Sequence, residues 1–256
     1  MSEHTANATT ASQQLEPTYA NTRGRFFVWM AGLLLVINLV GFAPNFFLKG
    51  FFDTPELPLR TQIHGSIFTA WFVFFLAQTT LIARRNVSLN RRMGVAGAVL
   101  AFVMVTTGLM MIYFRALEYI PTGSDDDLLH LRGTAAIVWG NLHLLAGFSV
   151  FVTLAIYFRK QADAHKRLML LACISMMPQS LARIARFPAI DMDEALFMTV
   201  GFLALLFSLV LHDKIVRKQL HPVSIWGPIL LFGAGLFLGL FVPTTKIGQS
   251  LILLLI

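Results

Sequence analysis

Histidine, arginine and amide side chains interrupt several long apolar runs of this chain, and they are the first pointers to chemistry. His64 opens a run that continues to Ala83, and His143 lies in the middle of another. An ionisable group inside a run of hydrocarbon length is costly, and by default it marks a functional candidate. His64, Trp71 and Gln78 are seven apart and share one helical face. Ala136, Gly140 and Gly147 neighbour His143 at helical steps, and small residues let a second helix come close. The alternative for His143 is a neutral imidazole bonded to a carbonyl or hydroxyl across that contact. The alternative for His64 is an interfacial histidine beside water.

Gln179, Arg183 and Arg186 follow a four-then-three spacing and form one polar stripe. A guanidinium presents a planar fork that matches a carboxylate or phosphate. His64, His143, Gln179, Arg183 and Arg186 are therefore the expected ligand-binding set. The arginines would hold an anionic group, and His143 would tune or close the pocket. The competing reading has the arginines snorkelling to the interface or pairing with Asp191 or Asp193. A further group, His165, His212 and His221 with Asn90, falls near one rim. Clustered histidines can hold a metal, but no close ligand-pair spacing appears, so no metal site is assigned. His221-Pro222 also reads as the turn into the next run. No phosphate loop, no Ser-His-Asp order and no His-Glu-x-x-His motif is present, so no catalytic residue is assigned. No apolar run holds the lysine that retinal would need. The one cysteine, Cys173, excludes a disulfide within the chain.

The elements that must position these residues are membrane spans. Of 256 residues, 56% are hydrophobic and only 13% charged, with mean hydropathy +0.70. A soluble domain carries about 25% charge, because its surface must be polar. Continuous apolar runs of about 20 residues cross a hydrocarbon core of roughly 30 Å, whereas a β-barrel would alternate in short segments. The expected fold class is all-α, a polytopic transmembrane bundle of about seven spans near 26–43, 61–83, 93–114, 131–158, 168–187, 195–211 and 225–242. Residues 1–24 read as a disordered polar tail and 25–256 as the bundle. The apolar stretch 247–256 is only half long enough to cross.

The net charge of +7 and pI near 10 sit mostly in short loops between the runs. Arg84, Arg85, Arg91 and Arg92 follow the second run, Arg159, Lys160, Lys166 and Arg167 the fourth, and Lys214, Arg217 and Lys218 the sixth. The intervening loops carry Glu118, Asp125, Asp126 and Asp127, and then Asp191, Asp193 and Glu194. That alternation is the positive-inside pattern. It places the N-terminus in the cytoplasm and, in a bacterium, the protein in the inner membrane. The expected partners are the bilayer and anionic lipids at the basic loops, with no nucleic acid. No cofactor is assigned.

Ile63-His64-Gly65-Ser66-Ile67-Phe68-Thr69-Ala70-Trp71 with Gln78, Asn90-Arg91-Arg92-Met93-Gly94, His165-Lys166-Arg167-Leu168-Met169, Arg183 with Arg186-Phe187-Pro188, and His221-Pro222 before Trp226-Gly227 resemble a group of uncharacterised bacterial multi-pass membrane proteins. The resemblance covers roughly residues 60–230. It implies a histidine where this chain has Asn90. More distantly, histidines at helix ends look like small helical proteins that assist assembly of haem-copper oxidases, and histidines on neighbouring spans are similar to b-type cytochromes. Two readings follow. The first is a non-enzymatic binding or assembly protein with an outward-opening intramembrane polar site. The second is a haem-, metal- or quinone-linked membrane redox protein. A transporter is a third option, although the two His-to-basic-turn segments are too loosely alike to be a repeat.

Overall fold

A computed structural model describes residues 25–52, 54–118, 127–190 and 192–254. The polar tail read at residues 1–24, Asp125, Asp126 and Asp191 lie outside the described residues. Among the described residues the regular structure is entirely helical. Seven helices are long and apolar enough to cross a membrane: Arg25–Phe47, Leu59–Ala83, Val87–Leu117, Leu129–Tyr157, Ala162–Ala185, Glu194–Arg217 and Pro222–Thr244, here spans one to seven. The expected all-α bundle of seven spans is what the chain forms.

Span five is the centre. In its apolar window 78% of residues are buried, against 44% in span four and 11% in span seven. It packs most closely along span four, while span two packs along span three. Trp71 and Phe72 of span two, Phe148 and Phe151 of span four, and Leu168, Leu171 and Ile174 of span five form the core. The Trp71 ring meets Phe148 edge-on at 5.0 Å. The remaining spans keep long apolar side chains on their outer faces, such as Phe102, Phe207 and Ile229. Lipid is as apolar as these side chains, so exposure there costs nothing and association rests on close packing.

Several ends differ from their sequence-based bounds. Span three starts at Val87, because the Asn86 side chain caps Leu89 N–H at 3.2 Å. Span five starts at Ala162, so Lys166 and Arg167 are helical rather than part of a loop. Span six continues past His212 through a π-helical turn, Asp213–Arg217, which ends at Lys218 in a left-handed conformation (φ 56°). In each case an apolar count stops at the first charged residue, while the helix continues because that charge is paired, as at Arg167 and Asp213, or reaches water, as at Arg91 and Arg92.

Span five is also broken. Its first half, Ala162–Ser175, and its second half, Pro178–Ala185, are separated by Met176 and Met177. Pro178 has no N–H to give to the preceding turn, which interrupts the helical ladder. Met177 N–H bonds Ile174 O instead, at 3.0 Å.

The chain after span seven folds back as a short helix, Lys246–Leu253. Trp139 Nε1–H donates to Gly248 O at 3.0 Å, and Ile252 is buried beside Ala135 and Val138. The apolar tail that is too short to cross therefore packs against span four.

Candidate functional site

One cavity of about 860 Å³ runs into the bundle. Its mouth is lined by Glu56 and Leu57 after span one, Arg115 late in span three, and Arg186 and Glu194 between spans five and six. These positions all lie at the end of the bundle opposite the basic turns. Its floor reaches Asn38, Met104, Leu144 and Met176, near the middle of spans one, three, four and five. The cavity therefore ends about half-way across the apolar layer.

The polar side chains of six spans converge on it. Arg183 donates to Gln179 O at 3.1 Å and Gln179 Oε1 at 3.3 Å, and Gln179 Nε2–H donates to Asn141 Oδ1 at 2.6 Å. Arg183, Gln179 and Asn141 thus form a polar chain from the mouth inward. The Arg183 guanidinium lies 4.4 Å from the centre of the Phe42 ring. Among the described residues no carboxylate lies within 4.0 Å of Arg183. Arg186 is different: Glu194 accepts two bonds from it, at 2.7 and 2.8 Å, on the exposed rim. Asp193 instead caps span six by accepting from Leu196 N–H. The stripe of three thus divides into a paired arginine at the rim and an arginine held over an aromatic ring further in.

On the opposite wall, His64 Nδ1 is 3.1 Å from Thr107 Oγ1. The Thr107 hydroxyl proton is engaged by Val103 O, at 2.9 Å, or Met104 O, at 3.2 Å. With the hydroxyl turned to either carbonyl, Thr107 accepts from His64 Nδ1–H and the His64 Nε2 lone pair is left to accept from a ligand. Asn38 donates to Thr69 Oγ1 at 3.4 Å, and its Oδ1 has no partner although Asn38 is fully buried. A buried acceptor without a donor is unfavourable.

His143 does not line the cavity. It is buried and faces span seven, where a Cβ on Gly235 would lie 3.0 Å from its Nε2. Gly239, the other member of that Gly-x-x-x-Gly pair, faces Gly140 at 4.0 Å. Four of the five expected site residues therefore share one cavity, and the fifth joins two spans. Trp71 and Gln78 stay outside it; Trp71 belongs to the core.

The rim histidines have three separate surroundings. His165 Nδ1–H donates to Ala155 O at 2.8 Å, which ties span five to the end of span four. The His212 ring stacks on Phe26 at 3.9 Å. His221 Nδ1 accepts from Val223 N–H and caps span seven. Burial, and then the nearby Arg167 and Arg217, lower the His221 pKa below its usual value. Among the described residues no three His, Cys, Asp or Glu side chains converge as metal ligands.

Residues that sequence reasoning passed over complete the picture. Arg167 is 1% exposed and Asp213 fully buried. They form a two-pronged ion pair, with Arg167 Nε to Asp213 Oδ2 at 3.0 Å and a second bond from Arg167 Nη2 to Asp213 Oδ1. Ser224 Oγ–H donates to Asp213 Oδ2 at 2.7 Å, and His221 N–H adds a contact at 3.2 Å. This network joins spans five, six and seven at the end away from the cavity. The usable signal was Asp213, an acid among basic turns. For the cavity, the lone amides Asn38 and Asn141 inside apolar runs were the equivalent signal.

No family model, curated protein or solved structure matches this chain. The seven spans define an integral, multi-pass α-helical membrane protein. Beyond that class, the cavity's own chemistry carries the reading.

Proposed function

We propose that the protein is a non-enzymatic binding protein whose intramembrane cavity holds a carboxylate-bearing organic anion. Under the positive-inside rule the cavity opens outward, and in a bacterium the membrane is the inner one. The observation that carries the reading is Arg183. It is a cation on the cavity wall, seated on Phe42, with Gln179 and Asn141 fixing its direction; Glu194, the acid of the same cavity, is taken by Arg186, and no carboxylate lies within 4.0 Å of Arg183 among the described residues. A ligand carboxylate would complete the charge-assisted pair that the protein leaves open. Phe42, Phe68, Met104 and Met198 offer apolar surface for the rest of the ligand. His64 Nε2 supports a ligand hydroxyl or amide as a second anchor.

The redox reading has less support. Haem bound by two histidines needs imidazoles that face one another. His64 faces the cavity and His143 faces Gly235.

Protein purified into lipid nanodiscs tests the reading. Decanoate, benzoate and inorganic phosphate serve as probes, with decanol as the uncharged control. The expected result is a rise in thermal stability with a carboxylate probe, about 2.7 kcal/mol at a hundredfold excess over Kd. Arg183→Ala should abolish the rise, and Arg183→Lys should retain part of it. Decanol acting as well as decanoate, or an undiminished response in a folded Arg183→Ala protein, would overturn the reading. A Soret band lost in His64→Ala would favour the haem alternative.

A further inference from the structure

We propose that the cavity is one half of an alternating-access pathway, in which the Arg167–Asp213–Ser224 network is the closure of the opposite half, so that the protein carries its organic anion across the membrane. This rests on the cavity being a ligand site, and adds three observations.

The first is where the cavity stops. Its floor lies at Met104, Leu144 and Met176, mid-way along their spans, with packed core between that floor and the basic-turn face. A site at the midplane is equally far from both waters.

The second is the break in span five at Met176 and Met177, beside that floor. The half before the break carries Arg167 of the closure, and the half after it carries Gln179 and Arg183 of the cavity. Interrupted spans with a site at the interruption are the arrangement by which two halves of a carrier move separately. Because span five is the most buried span, a hinge there moves both ends of the pathway at once.

The third is the chemistry of the closure. Apolar side chains would seal that end at lower cost than a buried ion pair, which can be less stable than its apolar replacement. An ion pair has discrete made and broken states. A second carboxylate is also near: Asp163, about half exposed, lies with Oδ1 3.6 Å from Arg167 Nη1, shares that oxygen with Lys166 at 2.5 Å, and meets Arg217 with the other at 3.3 Å. When Arg167 leaves Asp213, the Asp163 carboxylate can receive it, so opening need not strand the guanidinium.

The chain carries its own reporter. Cys173 is fully buried, and it lies between Arg167 and the break, about 9 Å beyond Arg167 along the helix axis. Full-length protein in sealed vesicles is treated with a membrane-impermeant maleimide from the basic-turn face. Cys173 should react slowly in the wild type and at least about tenfold faster in Asp213→Asn, because labelling follows the population of the open state. In a Cys173→Ala background, Ala182→Cys on the cavity wall should label from the other face and should slow when Asp213→Asn is added. Ala135→Cys, buried elsewhere, should stay silent in both forms.

Unchanged Cys173 labelling in a folded Asp213→Asn protein would overturn the proposal. So would an Ala182→Cys rate that does not fall, since that describes a leak, or Ala135→Cys labelling that rises in parallel, since that describes general loosening. If Asp213→Asn does not fold, Ser224→Ala removes one bond from the same closure and is read in the same way. The labelling rates need no ligand, so they fail or succeed independently of the decanoate titration.

Discussion

Arg167 and Arg183 lie on one span and have opposite surroundings. Arg167 is enclosed by Asp213, Ser224 and the Asp163 carbonyl. Arg183 has an aromatic face and amide groups; its nearest acid influence, Glu194, is bonded to Arg186 instead, and no carboxylate lies within 4.0 Å of Arg183 among the described residues. Desolvating a charge is tolerable when its hydrogen bonds are filled, so the first reads as structure and the second as an unfilled site. His221 belongs at this scale too. Its Nδ1 accepts the Val223 amide, so its neutral form caps span seven. Burial and the neighbouring guanidiniums lower its folded pKa below the unfolded value. Its contribution to stability is then complete above the unfolded pKa of about 6.5 and is lost as the pH falls from there through the folded pKa. Thermal unfolding in nanodiscs should show this acid loss in the wild type. His221→Asn keeps a capping side chain without a titrating group, and should make the loss between pH 7 and 5 shallower, with the remaining histidines supplying the rest. An equally steep profile in the variant would place the titration elsewhere.

At the scale of elements, close approach decides which spans are held together. Gly41 of span one sits against the backbone of Ser180 in the second half of span five, where an added Cβ would lie 2.6 Å from Ser180 O. A backbone carbonyl cannot step aside as a side chain can. Gly32, on the same span, has nothing within 4 Å of such a Cβ. Gly41→Ala should therefore lower the melting temperature and loosen the cavity's span-one wall. Gly32→Ala should be neutral or stabilising by up to about 1 kcal/mol, the helix-propensity difference. Melting curves of the two proteins, measured side by side, decide the matter. The sequence could not distinguish these glycines, because both stand in the same apolar run and only the partner's position separates them. Gly235 and Gly239 are a contrast, since their Gly-x-x-x-Gly step is visible within one span alone.

For the whole molecule, the number of spans was legible because hydrocarbon thickness imposes one length on every crossing element. The convergence of His64, Gln179, Arg183 and Arg186 was legible in part, from polar residues sharing helix faces. His143 was misassigned to that group because periodicity tells which face a residue occupies, not which neighbour covers it. The Arg167–Asp213 pair was hidden by the same charge pattern that indicated orientation: in a basic turn, each charge reads as an anchor. The orientation makes its own prediction. Sidedness reporters placed near Asn90 and near Asp126 should report opposite compartments, with Asn90 cytoplasmic. If both report the same compartment, the layout and the proposed direction of the cavity fail together.

Span five also bears on biogenesis. It has little surface to offer lipid, and it carries Asp163, Lys166, Arg167, Gln179 and Arg183 in one segment. Charged side chains weigh against the release of a nascent helix into the bilayer, less so at its ends, where Asp163, Lys166, Arg167 and Arg183 stand. Asp213, which neutralises Arg167, emerges from the ribosome only near the end of span six. Burial of most of span five and the pairing of Arg167 with Asp213 favour the joint settling of spans four, five and six over their insertion one at a time.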